Sequence, residues 1–345
     1  MNASPFTGPV SKGWPALGLV LACVTVTVTV TAGCMESRNL GNTVPHGPGL
    51  PVDERNPIVL TNDGANDNWQ GEYAILLANS GGPPLAGIIV NTSPNWPDID
   101  ENIAGWRGLV SAATRSGMRN VPEPTTSIGR PLVRPASGVI EDTAPNRSEG
   151  ARKILDLSHS VSLPYRPLVV VTGGRLTDIA DAYLIDATVA ERVVVVSSLG
   201  TVTASGAAMG IPNGEMDPWA DAIVAARLRF VQVSAYYSQA GDVPTSRLAD
   251  LPPNPFGEWI AAKQSKVWSL AQAADQVSVI AVGIPSFVAA VERVAPSAPG
   301  GPGAGAGPDL LTDRNGAAWL VRENASAAAT ERFWQALLAP TTYSP

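Results

Sequence analysis

Cysteine is nearly missing from this chain: Cys23 and Cys34 are its two thiols, and none follows them. The body of the protein therefore carries neither a disulfide framework nor a cysteine-based metal site or thiol nucleophile. Histidine is as scarce, with His46 and His159 alone. A basic stripe is missing too, and the formal net charge of −7 argues against a nucleic-acid partner, which would need one. A small neutral or cationic ligand suits this balance better. No internal repeat is present. What remains for chemistry is mainly carboxylates, amides and hydroxyls. An apolar fraction of 45% against 15% charged residues implies a sizeable core and excludes a disordered chain. The 345 residues suffice for one large α/β domain or two small ones.

The first 34 residues read as a targeting segment. Lys12 supplies a positive start, and Trp14 to Thr31 form an uncharged apolar stretch. Thr31-Ala32-Gly33-Cys34 then places small residues directly before a cysteine, which resembles a bacterial lipoprotein signal; Thr31 stands where such signals usually carry Leu. An ordinary cleaved signal peptide and an uncleaved anchor are the alternatives, since an apolar run of about 18 residues is borderline for a membrane span. All three readings export the body, as a cell-envelope lipoprotein held at the membrane by an N-terminal lipid or as a secreted protein. Residues 35–56, rich in Gly, Pro and Asn and without an apolar period, are expected to be a flexible tether.

From Pro57 onward, short apolar runs alternate with helical stretches. Ile58–Leu60, Leu85–Val90, Leu168–Val171, Val193–Val196 and Phe230–Val233 read as strands, and the β-branched runs LVVV and VVVV suit strands buried on both faces of a parallel sheet. Gln70–Ala78, Asn102–Ser116, Glu149–Ser160, Leu176–Ile185, Lys266–Ala274 and Ala328–Leu338 read as helices, with a strand pair between Leu310 and Arg322. This order predicts an α/β fold with an open, doubly wound, mostly parallel sheet over 57–345. The run Ala295–Pro308 (APSAPGGPGAGAGP) cannot pack a core and is expected to be a surface insertion.

The segment Ile58–Asn68, IVLTNDGANDN, concentrates oxygen donors just past a strand end. In open α/β sheets ligands collect outside the carboxyl ends of strands, so Asp63 and Asp67 stand where chemistry is expected. The oxygens of Thr61, Asn62, Asp63, Asn66, Asp67 and Asn68 suit calcium, which takes 6–8 such ligands, and not zinc. An Asn/Asp-rich turn capping the next helix is the structural alternative.

Thr61-Asn62-Asp63-Gly64-Ala65-Asn66-Asp67-Asn68, followed by Tyr73-Ala74-Ile75-Leu76-Leu77-Ala78, resembles the opening motif Asp-x-Asp-Pro-Gly-x-Asp-Asp and first helix of the nucleoside hydrolases. Four further segments agree in order: Leu85–Asn91; Val169–Ala180; Asn213 with Asp217-Pro218; and Ala274-Asp275-Gln276-Val277-Ser278-Val279. Glu331-Arg332-Phe333-Trp334 is similar to the family's last helix. The resemblance implies a nucleoside hydrolase-like fold and a Ca2+ ion held by Asp63, Asp67, Asn68, a backbone carbonyl of Gly173 or Thr172, and Asp275. It makes Asp63 the general base. Asn213 and either Asn91 or Asn95 become sugar-binding residues, and the substrate a ribonucleoside or related riboside, with an oligomer compatible with it.

The departures fall on that same chemistry. Thr61 and Asn68 replace carboxylates of the motif, and Ile211 and Ala274 replace a Glu and a His of the family. Ser205 replaces an Asn. Losing a general acid typically costs ~10²–10⁴ in rate. Tyr236, Tyr237, Trp219 and Trp259 are candidates to stack on a base, with packing as their alternative role. Two functions are thus expected to compete: a calcium-dependent N-glycosidase, and a non-catalytic ligand-binding lipoprotein of the same fold.

Overall fold

The computed structural model describes residues 49–65, 69–198, 213–233, 244–264, 275–297, 308 and 310–343. The expected signal segment, Asp67, Asn68, Ser205, Ile211, Tyr236, Tyr237, Ala274, the expected helix 266–274 and most of the Gly/Pro-rich insertion lie outside the described residues.

The elements follow the β-loop-α rhythm of the sequence. The first half runs β1 (Ile58–Asn62), α1 (Gln70–Ala78), β2 (Leu85–Val90), α2 (Ile99–Arg115), β3 (Pro124–Thr126), α3 (Glu149–Ser160), β4 (Leu168–Gly173), α4 (Thr177–Ile185) and α5 (Val189–Arg192). Then come β5 (Val193–Ser198), α6 (Pro218–Arg227), β6 (Arg229–Val233), α7 (Pro255–Gln264), α8 (Gln276–Gly283), β7 (Val288–Pro296), β8 (Leu310–Thr312), β9 (Ala318–Asn324) and α9 (Ser326–Leu338).

The described strands form a nine-stranded sheet in the order β3-β2-β1-β4-β5-β6-β9-β7-β8. Pairing is parallel from β3 to β9 and antiparallel for β7 with β9 and with β8. Alternation of side chains builds two cores. Ile58 and Leu60, Val169 and Val171, and Val194 and Val196 face one; Val59, Leu168 and Val170, and Val193 and Val195 face the other. Burial on both faces is why these strands read as unbroken β-branched runs. The strand order reverses between β1 and β4, which leaves a crevice at their carboxyl ends, the usual ligand position in a doubly wound sheet.

Five helices contribute to the first core: α1, α2, α7, α8 and α9. Of these, α8 is buried along its whole length, and α1 from Gln70 to Leu77. One ion pair lies inside this layer. Lys263 Nζ on α7 is 2.8 Å from Glu72 Oε1 on α1, Trp259 Nε1 donates to the same oxygen at 2.8 Å, and Lys263 sits 4.8 Å from the Trp69 ring centroid.

Three sequence expectations change. The last part of the expected tether belongs to the body: Leu50 and Val52 are buried in the core, and Asn56 Nδ2 donates to the Pro167 carbonyl at 2.8 Å. The two strands between Leu310 and Arg322 pair with β7 instead of with each other, because β7, which reaches Pro296, supplies a partner that the Ala- and Pro-rich sequence hides. Finally α2 starts three residues early, at Ile99, where Asp98 caps it by accepting from the amides of Asp100 and Glu101; this end precedes the first apolar repeat. Among the described residues no helix is long and apolar enough to cross a membrane.

Candidate functional site

The loop after β1 is held from behind by α2. Asn102 Nδ2 donates to the carbonyls of Asp63 at 2.9 Å, Asn91 at 3.0 Å and Trp96 at 3.1 Å. Trp106 Nε1 donates to the Gly64 carbonyl at 2.9 Å. Gly105 has to be glycine, since a Cβ there would lie 2.2 Å from the Ala65 carbonyl oxygen. Three positions on one helix face thus fix where Asp63 stands.

On the other side of the crevice, β4 ends at Gly173 and Gly174 follows it, and their missing side chains make room for carboxylates. A Cβ on Gly173 would fall 2.3 Å from Asp275 Cβ and 2.5 Å from its Cγ; one on Gly174 would fall 3.1 Å from Asp63 Oδ1. Consecutive Cα atoms are about 3.8 Å apart. The early and the late aspartate therefore pack against neighbouring residues of a single strand end. The structure places Asp63 against Gly174 and Asp275 against Gly173.

Asp275 stands just before α8, buried among donors. Its Oδ1 accepts from Ser198 Oγ at 3.1 Å and from Asn213 Nδ2 at 3.0 Å. Its Oδ2 accepts from Asn62 Nδ2 at 3.2 Å. That amide also donates to Gln70 Oε1 at 3.1 Å and to the Gly173 carbonyl at 3.3 Å, while Asn62 Oδ1 accepts from Gly64 N at 2.9 Å. Thr172 turns its carbonyl to Ser198 Oγ at 3.0 Å. Asn213 is thus inside the site, with its amide on Asp275. A buried carboxylate needs this density of donors to remain in place.

Of the two alternatives on the β2 side, Asn91 is buried and Asn95 is exposed. Asn91 Nδ2 donates to Asp178 Oδ2 at 3.2 Å, and Asn91 Oδ1 is buried with no hydrogen-bond partner among the described residues. Thr61 Oγ1 is in the same condition. Asp178 is fully buried at the start of α4 and also accepts from Ser127 Oγ at 2.8 Å. Burial raises its pKa, against the hydrogen bonds from Ser127 and Asn91. A carboxyl with a raised folded pKa adds stability at low pH that is lost as pH rises through that pKa. Asp178→Asn should therefore remove part of the decline in unfolding free energy between acid and neutral pH and leave the neutral protein at least as stable. Urea unfolding across that range checks this; a steeper decline in the variant would refute the assignment. Asp217, the cap of α6, is pushed up by burial as well, but contributes equally to both proteins.

A buried guanidinium crosses the same edge. Arg175, next after Gly174, reaches the Gly129 carbonyl at 2.8 Å and Thr92 Oγ1 at 3.4 Å. Its Nε has no partner among the described residues. Burial lowers its pKa, and Asp217, Asp178 and Asp63 oppose that shift by their charge. Neither Arg175 nor Ser198 stands out in the sequence, and Asn62, expected there as an oxygen ligand, turns its N–H groups to Asp275; the one signal for Arg175 is a charged residue in a strand-end loop.

The donors described around the crevice are hard oxygens: the Asp63 and Asp275 carboxylates and the Gly173 carbonyl. Their chemistry fits a calcium-like cation and not zinc. Among the described residues no group of three or more His, Cys, Asp or Glu forms a metal cluster, and the expected ligands Asp67 and Asn68 are outside them. Of the aromatic candidates, the two among the described residues have partners within the fold: Trp219 Nε1 donates to Thr143 Oγ1 at 3.0 Å, and Trp259 Nε1 donates to Glu72. His159 is exposed on α3, 3.6 Å from Asp186.

No protein-family model matches the chain. No curated protein matches it by sequence either. Solved structures do. An inosine-guanosine nucleoside hydrolase is similar at TM-score 0.60 and 15% identity, over 82% of this chain and 98% of that one. The inosine-uridine preferring nucleoside hydrolase from Bacillus anthracis is similar at 0.58 and 14%, over 82% and 99%. A purine-preferring ribonucleoside hydrolase from Gardnerella vaginalis is similar at 0.54 and 15%, over 83% and 99%. At these identities the likeness is one of fold.

Proposed function

We propose that this chain, whose fold is that of the nucleoside hydrolases, cleaves the N-glycosidic bond of a ribonucleoside or related riboside. The observation that supports the reading is the packing of Asp275 against Gly173, the last residue of β4, and of Asp63 against Gly174, which follows it, at the reversal point of the sheet.

The residues divide the work as follows. Asp63, clamped by Asn102 through its backbone, takes a proton from the attacking water as general base. Asn91 Oδ1, buried and without a partner among the described residues, supplies an acceptor for a sugar hydroxyl or for that water; Asn95 is the alternative from the sequence. Asn213 positions the ribose side of the site next to Asp275. The surrounding carboxylates lower the energy of a transition state with oxocarbenium character. Asp63, Asp67, Asn68, the Gly173 carbonyl and Asp275 would hold Ca2+, which when bound supplies Lewis-acid polarisation of water. The N-terminal Thr31-Ala32-Gly33-Cys34 supports export and lipid anchoring, so the substrate is met outside the cytoplasm.

The test is release of reducing sugar from a panel of purine and pyrimidine nucleosides by fractionated cells and by the purified full-length protein, with Ca2+ and with chelator. Release is expected in the envelope or secreted fraction and should depend on Ca2+. No release from any nucleoside, with nucleosides still raising the unfolding temperature, would replace hydrolysis by binding alone. Activity confined to the cytoplasmic fraction would overturn the location.

A further inference from the structure

Asn62 sits at 0% exposure between the strand end that carries Asp63 and the helix start that carries Asp275. Its amide orientation is fixed from one side, because Oδ1 accepts from Gly64 N. That turns the NH2 group toward three acceptors at once: the Gly173 carbonyl, Asp275 Oδ2 and Gln70 Oε1, at 3.3, 3.2 and 3.1 Å. Two of these three are oxygens just assigned to a cation. The partial positive charge of an amide is thus directed at the same carbonyl and carboxylate that a cation would join.

We propose that Asn62 is a built-in stand-in for the cation: its amide nitrogen bridges the Gly173 carbonyl and Asp275, holds the metal-free site together, and competes with calcium for those oxygens. The inference rests on the reading that Gly173 and Asp275 are cation ligands. Calcium bonds to oxygen span 2.3–2.6 Å, so a cation drawing on both oxygens meets the N–H groups of Asn62 directed at them. Turning the amide over to present its oxygen gives up the bond from Gly64 N. Binding therefore carries a cost that reaches the Asp63 loop, and the site accepts calcium weakly. The gain is a metal-free pocket that keeps its shape, since Asp275 already has Asn62, Ser198 and Asn213 as donors.

Asn62 is in this view a positioning residue, and its test reads calcium directly. Full-length wild type, Asn62→Asp and Asn62→Ala are titrated with Ca2+ by calorimetry and melted in chelator and in Ca2+. Wild type should bind weakly, with a melting temperature that changes little on adding Ca2+. Asn62→Asp, the same shape with a charged oxygen in place of the amide, should bind Ca2+ at least about tenfold more tightly, since ligand charge tunes such sites. Its melting temperature should rise clearly with Ca2+. Asn62→Ala should melt lower than wild type in chelator and recover most of that loss in Ca2+. Equal destabilisation of Asn62→Ala with and without Ca2+ would make the residue merely structural, and unchanged affinity in Asn62→Asp would overturn the competition. Absence of Ca2+ binding in all three proteins would do the same. Failure of the hydrolysis reading would show separately, as missing sugar release, with these titrations unaffected.

Discussion

Asp63→Asn should lower turnover of any nucleoside the protein hydrolyses by ~10²–10⁴, the usual contribution of a positioned general base. The substitution keeps the size of the side chain and the backbone contact to Asn102, which bonds the carbonyl of residue 63. It leaves Gly174 the same neighbour. What it removes is the proton acceptor and one unit of negative charge, which by the proposed reading serves both the cation and a developing oxocarbenium ion. The loss should fall mainly on kcat, with KM less affected, since the sugar contacts proposed for Asn91 and Asn213 remain. Initial rates of sugar release over a range of nucleoside concentrations separate the two. Wild-type turnover in the variant would mean that another group takes the proton.

Glu72→Ala should cost about 3–5 kcal/mol of stability, the usual penalty for removing one partner of a buried ion pair. Its Oε1 is the acceptor for both Lys263 Nζ and Trp259 Nε1, each at 2.8 Å, and exposure of the side chains is 0% for Glu72 and 6% for Lys263. Truncation leaves an ammonium and an indole N–H inside the helical layer, next to the Trp69 ring. In a protein of this size such a loss should lower the melting temperature by roughly 10 °C. Glu72→Gln keeps an acceptor and should lose less. Melting curves followed by circular dichroism decide the matter: a variant within a degree of wild type would show that the pair adds nothing.

The sheet was legible because its physical signals are local. LVVV and VVVV need no partner to announce strands buried on both faces, and their spacing by helices dictates parallel pairing. The crevice residues were legible in part, since Asp63 and Gly173 stand at strand ends, and Asp275 follows from likeness to a motif. The donors around them were not. The loop composition marks Asn62 as an oxygen ligand and not as an N–H donor, Gln70 and Ser198 are neutral residues of a kind that fills any chain, and 213 positions separate Asn62 from the carboxylate it bonds. Nor does the sequence reveal that Asn102, Gly105 and Trp106 clamp the loop, because spacing on α2 shows a shared face without its target. Leu50 and Val52 escape the sequence for the opposite reason: two apolar residues in a Gly/Pro-rich stretch carry no period, yet both are buried in the first core.

The place of β9 has a consequence for how the chain is made. The last strand in sequence is the wedge that joins β6 to β7; until it arrives, β6 is a raw edge and the β7–β8 pair is attached to nothing in the sheet. Such edges invite pairing with other chains. The helix after it then sets Phe333 against Trp69 and Tyr73. Synthesis thus adds the joining strand after both of the strands it joins. A ribosome that stops short of it releases a chain with two sticky borders instead of a slightly trimmed protein.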